Sequence, residues 1–237
     1  MILYNKMNNK TKIRNIFTYA FPNRKALIDY VEDKESILIA VNAEKILKED
    51  VKLHNIINNN IAYADGFGAV MALRKKGLDA IKIPGAELWL DIINRFYLEK
   101  SFYFIGSSQD VIEKTILKLK DEFNEINIVG YRNGFLKKED KIELIQELKQ
   151  KKPEIIFVAQ GSPRQEFLMD ELMKEYPALY MGLGGSFDVY CGLKQRAPDF
   201  FLRFNLEWFY RLISEPTRYK RQLGLVKFYI YLKLGRL

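Results

Sequence analysis

The apolar positions recur in two rhythms, one of strand length and one with helical spacing, and they alternate along the chain. Ser36 to Val41 is a continuous apolar run of strand length. Such a run fits a strand buried on both faces of a parallel sheet. Asn42, a polar residue, stands at its carboxyl end. Helical patterns follow over Glu44 to Lys48 and Val51 to Ile57, the second ending in three asparagines. Ile61 to Ala64 is an apolar approach to Asp65-Gly66, which reads as a tight turn into a helix that runs to Lys76 and stops at Gly77. Asp ahead of a helix is a favoured N-cap, so the local expectation is that Asp65 caps this helix. Pro84-Gly85 breaks the chain, and Glu87 to Leu98 reads as a helix with Leu88, Trp89, Ile92 and Phe96 on its apolar side.

From Phe102 the rhythm is regular. Strands are expected over Phe102 to Ile105, Ile126 to Val129, Glu154 to Ala159 and Ala178 to Leu183. Helices are expected over Gln109 to Phe123, Lys138 to Lys151 and from Pro163 to Tyr176. Strand, glycine-bearing loop and helix in repetition predict an α/β fold: a Rossmann-like parallel sheet with helices on both faces. Ligands of such sheets bind beyond the carboxyl ends of the strands. Asn42, Gly106, Gly130, Gly161 and Gly184 are all expected at that edge.

Past Gly192 the character changes. Arg196-Ala-Pro-Asp opens a helix in which Phe201, Phe204, Trp208 and Leu212 share a face, and Pro216 ends it. Two short basic, aromatic helices are expected after it, Thr217 to Gln222 and Leu225 to Leu234. The expected organisation is an α/β domain over 1–196 and a helical, basic carboxy-terminal appendage over 197–237.

Charge sharpens the role of that appendage. The 237 residues carry a formal net charge of +8. From Arg203 to Leu237 there are eight Lys or Arg against two acids, so most of the excess sits in the tail. An anionic partner is expected there, whether nucleic acid, anionic lipid or phosphate. Basic residues interleaved with aromatics are also the composition of a membrane-surface helix. No run reaches the roughly 18 apolar residues of a spanning helix, and no secretory leader is legible. A cytoplasmic, membrane-peripheral protein is expected. Cys191 is the sole cysteine, which excludes an intrachain disulfide and fits a reducing compartment. His54 is the sole histidine and lies in an amphipathic stretch, where a surface or half-buried helix position is expected. Histidine-based triads other than through His54, and His-rich metal sites, are excluded.

Three stretches carry candidate chemistry. Gly161-Ser-Pro-Arg-Gln-Glu166 joins a strand end to a helix start, a geometry suited to anions. Arg164, Gln165 and Glu166 bring a cation, an amide and an acceptor to its first turn; a Ser162–Gln165 capping box is the structural alternative. Gly182-Leu-Gly-Gly-Ser-Phe-Asp188 is a second glycine loop, able to meet phosphate or ribose or to serve as a plain turn. Arg211, Arg218 and Arg221 are the tail cations best suited to a diphosphate. There is no Asp-x-Asp and no Walker loop. Gly66-Phe-Gly68-Ala-Val-Met71 is part of a dinucleotide fingerprint, with Met71 in place of its third glycine.

In order along the chain stand Ala40–Lys45, Ala64-Asp-Gly66, Pro84–Trp89, Gly161–Glu166, Gly182–Asp188, Arg196-Ala-Pro198, Leu206–Leu212 and Glu215–Arg218. Together they resemble the WecG/TagA/CpsF family (glycosyltransferase family 26) over nearly the whole chain. The likeness is nearest the branch that transfers N-acetylmannosaminuronic acid to lipid-linked N-acetylglucosamine. Ala40 stands where the teichoic-acid branch, which transfers N-acetylmannosamine, usually has Thr. The resemblance implies an inverting, metal-independent transfer, without a cofactor, from a UDP-sugar to undecaprenyl-diphosphate-linked N-acetylglucosamine. It implies Asp65 as general base on the acceptor hydroxyl, with Asn42 and Gln165 in the same pocket. Gly66, Gly106, Gly161, Arg164, Glu166, Gly184, Gly185 and Asp188 are candidate substrate-binding residues. By the same resemblance Arg211, Arg218 and Arg221 close over the diphosphate, and the appendage attaches to the membrane. A uronic acid carboxylate would call for a cation, for which Arg164, Lys82 and Arg196 are candidates. A homo-oligomer is a further possibility. The readings from other classes are a nucleic-acid-binding module using the basic aromatic tail, and a dinucleotide enzyme.

Overall fold

The computed structural model of the protein describes residues 9–195, 197–198, 200–201, 209–210, 213 and 219–237, with side chains in the last group from 224 onward. Arg196, Arg211, Arg218, the side chain of Arg221 and most of the helix expected from Arg196 to Pro216 lie outside the described residues. The fold is α/β, with eight mostly parallel strands and ten helices among the described residues. The chain divides into two units. The first holds Met1–Ala26, Ala40–Pro84 and Arg196–Leu237, the second Leu27–Ile39 and Gly85–Gln195.

In the first unit, β1 (Lys10–Ile13) and β2 (Ile16–Tyr19) form an antiparallel hairpin. Neither strand is expected from the apolar pattern of this segment. Arg14 takes φ 55° in the turn between them, a region that favours glycine. Its side chain is held in compensation, donating to the Leu47 carbonyl at 3.1 Å and to Glu49 at 2.6 Å. β4 (Ile61–Ala64) lies parallel beside β2. All four of its residues are buried. Because successive strand residues point to opposite faces, β4 is covered on both. Helices α2 (Ala43–Leu47), α3 (Val51–Asn58) and α4 (Phe67–Lys75) belong to the same unit. His54 on α3 is buried, and its Nε2 lies 2.7 Å from the Lys48 carbonyl, so it is a packed helix residue. The tail differs from expectation. In place of two short helices there is one, α10 (Tyr219–Lys233), running through Gly224. A glycine inside a helix costs only about 1 kcal/mol, which the packing of Phe228 and Leu232 offsets.

The second unit contains most of β3 (Ser36–Val41), then β5 (Ser101–Gly106), β6 (Asn127–Arg132), β7 (Ile155–Ala159) and β8 (Leu179–Gly182). Their order is β3-β8-β7-β5-β6, all parallel. β5, β7 and β8 are buried at every residue, so helices cover both faces. α1 (Arg24–Val31) spans the join of the two units. The others are α5 (Gly85–Phe96), α6 (Gln109–Glu122), α7 (Lys138–Lys151), α8 (Arg164–Glu175) and α9 (Ser186–Tyr190). An aromatic core sits under the strand ends. Trp89 packs edge-on against Phe157, Phe187 and Tyr190, with centroids 5.9, 5.8 and 5.1 Å away. The chain leaves β5 outward to β6, then returns past β5 to β7 and moves on to β8. The direction of winding therefore reverses between β5 and β7, and a crevice opens beyond the carboxyl ends of strands at such a point.

Candidate functional site

In the first unit the strand end carries Asp65. Its backbone N–H donates to the Val41 carbonyl at 3.0 Å, and the Gly66 N–H reaches the same oxygen at 3.4 Å, just past the end of β4 at Ala64. The helix after it starts one residue later than the sequence predicts. Gly66 is the N-cap of α4, with no side-chain cap bond, and Asp65 is not the cap. Its half-buried carboxylate thus stands at a strand end just ahead of a helix N-terminus. Beside it, Asn42 caps α2: its Oδ1 accepts from the Lys45 N–H at 3.0 Å. That leaves the carboxamide NH2 as its donor. The two turns are close. A Cβ built on Gly66 would lie 3.1 Å from the Asn42 Cβ, so any larger residue at 66 would push these strand ends apart.

Two first-unit residues were not singled out from sequence. Lys45 is buried and donates from Nζ to the Ala40 carbonyl at 2.8 Å, placing a cation behind the Asn42 turn. Tyr63 is fully buried two residues before Asp65, on the same face of an extended chain. Its hydroxyl has no hydrogen-bond partner among the described residues. Burial, and after it the Asp65 charge, hold the phenol well above its ordinary value, so it remains a neutral donor. Strand alternation was the available signal for Tyr63; the depth of Lys45 had none.

In the second unit the glycine loops converge on the β5/β7 reversal. Gly106 ends β5 at φ 142°, and a Cβ there would lie 2.3 Å from the Ala159 carbonyl oxygen. The Ser107 N–H donates to that same oxygen at 3.0 Å. Gly161, at φ 74°, follows β7. Gly134 also reaches this edge, where its N–H donates to the Ser107 carbonyl at 2.8 Å and its carbonyl accepts from Gln160 Nε2 at 2.6 Å. Gly130, expected there, instead lies inside β6, which runs on to Arg132. It makes room for the Tyr103 ring, which a Cβ would meet at 2.4 Å.

Gln165 is buried, and its role is visible in its bonds. Oε1 accepts from the Gly184 N–H at 2.8 Å, and Nε2 donates to Glu166 Oε1 at 3.2 Å. It ties the Gly161 loop to the Gly184 loop. The Ser162–Gln165 capping box does not form: Pro163 is the N-cap of α8, without a side-chain cap bond. Glu166 is buried, whereas Arg164 is exposed at the first position of α8. Gly185 is the N-cap of α9, and Asp188 in that helix accepts from Ser107 Oγ at 3.4 Å, with Lys194 Nζ 4.0 Å away.

This unit therefore gathers Gly106, Gly161, Gln165, Glu166, Gly184, Gly185 and Asp188 at one sheet edge. The first gathers Asn42, Asp65 and Gly66 at another set of strand ends. The chemistry on offer is a carboxylate able to take a proton, amide donors, and helix N-termini suited to anionic groups. The model of the glycosyl transferase WecG/TagA/CpsF family matches residues 15–236 of the chain.

Proposed function

Because the chain belongs to the glycosyl transferase WecG/TagA/CpsF family, a glycosyltransferase family of polysaccharide synthesis, we propose that it moves an N-acetylmannosamine-type sugar from UDP to an undecaprenyl-diphosphate-linked N-acetylglucosamine. The donor is N-acetylmannosaminuronic acid or N-acetylmannosamine, with the first favoured by Ala40. Asp65 takes the proton from the acceptor hydroxyl as that oxygen attacks the anomeric carbon, and UDP departs from the opposite face with inversion. The observation that carries this reading is the place of Asp65, a carboxylate at the end of β4, next to the Asn42 turn and one residue ahead of Gly66, the N-cap of α4. The Asn42 NH2 orients a substrate oxygen. The Gly161 and Gly184 loops, held by Gln165, receive the nucleotide, and Asp188 with Ser107 suits ribose hydroxyls. Arg211, Arg218 and Arg221 carry the charge of the departing diphosphate.

The transfer takes no metal in this reading, so chelation by EDTA leaves turnover unchanged. The protein works at the inner face of the cytoplasmic membrane. Val226, Tyr229 and Ile230 are exposed on α10 beside Lys227 and Lys233, which supports a membrane-surface role. Among the described residues no helix is long and apolar enough to cross a membrane.

The deciding experiment is a panel of UDP-sugars offered with lipid-linked N-acetylglucosamine, with UDP release as readout. Acceptor-dependent release from an N-acetylmannosamine-type donor is expected. Release from no UDP-sugar, or release only from other hexoses, overturns the donor assignment.

A further inference from the structure

The last helix does more than face outward. On its inner side Phe228 and Leu232 are 3% and 6% exposed. Phe228 meets the first turns of both helices that start at the candidate catalytic strand ends. A Cβ built on Gly68 would lie 3.0 Å from Phe228 Cε1, 3.4 Å from its Cδ1 and 3.2 Å from the Ala43 Cβ. Ala43 follows Asn42, and Gly68 lies three residues after Asp65. The notch exists because α4 has glycine at this position and α2 has only a methyl group. One residue before Ala43 and two before Gly68, Asn42 and Gly66 are themselves nearly in contact. The ring therefore fills the space that fixes how far apart the two helix starts stand.

The rest of α10 is tied to the same helices. Lys75, at the end of α4, donates from Nζ to the carbonyls of Leu232 and Lys233. A cation on the final carbonyls of a helix is favourable. The Arg14 guanidinium sits 5.7 Å from the Tyr231 ring centre while also donating to the Leu47 carbonyl that ends α2.

We infer that Phe228 is a positioning residue for the transfer: by filling the Ala43–Gly68 notch it sets the spacing of Asn42 and Asp65, so turnover requires α10 seated on α2 and α4. The inference rests on the proposed roles of Asp65 and Asn42. It assigns to the carboxy-terminal helix a part in catalysis separate from membrane attachment and from the arginines. Loss of the ring lets the two turns drift, which lowers the rate of the chemical step more than it weakens binding.

The test uses the full chain with acceptor supplied in detergent micelles, which removes membrane attachment from the measurement. Phe228→Ala is expected to lower kcat at least tenfold with KM for the donor within about threefold. Phe228→Leu, which refills most of the notch, restores kcat to within about threefold of the parent. Gly68→Ala lowers kcat on its own, and Gly68→Ala combined with Phe228→Leu recovers part of it because the smaller side chain yields the space. Hydrogen exchange supplies a readout independent of turnover. In Phe228→Ala, the amides of Lys45 and Val70 lose protection while those of β5 and β7 keep theirs. Asp65→Asn is run beside them. If Asp65→Asn is inactive and Phe228→Ala keeps its kcat, the positioning role is wrong and the base assignment stands. If Asp65→Asn turns over like the parent, the underlying functional reading fails instead. Additive effects of Gly68→Ala and Phe228→Leu likewise overturn the notch argument.

Discussion

Replacing Gln165 with Leu separates loop tethering from every other contribution to donor binding. The side chain is 4% exposed and makes two bonds that Leu cannot make. Gly184 is half-exposed as a residue, so water can take over as acceptor for its N–H, and that loss is worth about 1 kcal/mol. The donor to the buried Glu166 carboxylate is charge-assisted, worth about 1.5–3 kcal/mol. A total of about 2–4 kcal/mol translates into a fall in melting temperature of roughly 5–15 °C for a chain of this length. The Gly184 loop is then free to move, and a displacement of about 1 Å at a reacting group costs about a hundredfold in rate. Calorimetric UDP binding, thermal melts and turnover are the assays. Gln165→Glu is the informative partner. Its second oxygen still accepts from Gly184, but a carboxylate now stands 3.2 Å from Glu166 Oε1. Two carboxylates this close share a proton, so the pair's native pKa is raised above the unfolded value of about 4.3. Stability from that shared proton is present at low pH and lost as pH rises through the raised native value. Gln165→Glu should therefore lie closer to the parent's stability in acid than at neutral pH, and Gln165→Leu should not. A Leu variant that melts within about a degree of the parent and binds UDP equally well would refute the tether.

Asp65→Asn should lower kcat by about 10²–10⁴-fold, the usual worth of a general base, with a melting temperature within a few degrees of the parent because Gly66 occupies the N-cap position of α4. A drop of more than a few degrees would return Asp65 to the role of cap. Gly106→Ala should destabilise by about 2–4 kcal/mol, since φ 142° is unfavourable for alanine and its Cβ would sit 2.3 Å from the Ala159 oxygen. A denaturant melt superimposable on the parent would contradict that geometry. Tyr63, Tyr103 and Tyr180 are all fully buried with native pKa values raised chiefly by burial. Their stabilisation is fully present below the unfolded value of about 10 and declines above it, by up to about 1.4 kcal/mol per pH unit for each tyrosine. Unfolding and tyrosinate absorbance should then rise together in alkali; tyrosinate formed at about pH 10–11 without unfolding would mean that these phenols reach water.

What the sequence made legible follows from how local each signal is. Ser36–Val41 and Lys138–Lys151 have the bounds expected of them, because burial on both faces and a long polar helix each write an uninterrupted pattern. The β1–β2 hairpin has four-residue strands joined through Arg14, without the Asn-Gly or Asp-Gly pair that announces such turns. The five-residue α9 is too short for periodicity to appear. The candidate site shows the same division more sharply. Its residue types are legible from the loops, but which side chain serves as a cap is not, because capping depends on the residue at which the chain turns helical. Asn42 lies past the last residue of its strand and turns its oxygen inward onto Lys45. The N–H groups of Asp65 and Gly66 both reach the Val41 carbonyl, at 3.0 and 3.4 Å, and the cap position of α4 falls on Gly66, which has no side chain to fill it. An Asp-Gly pair looks the same in either register. What differs between the registers is where the chain turns helical: with the N-cap at Gly66, Asp65 stays at the strand end beside Asn42, where the proposed acceptor hydroxyl meets it.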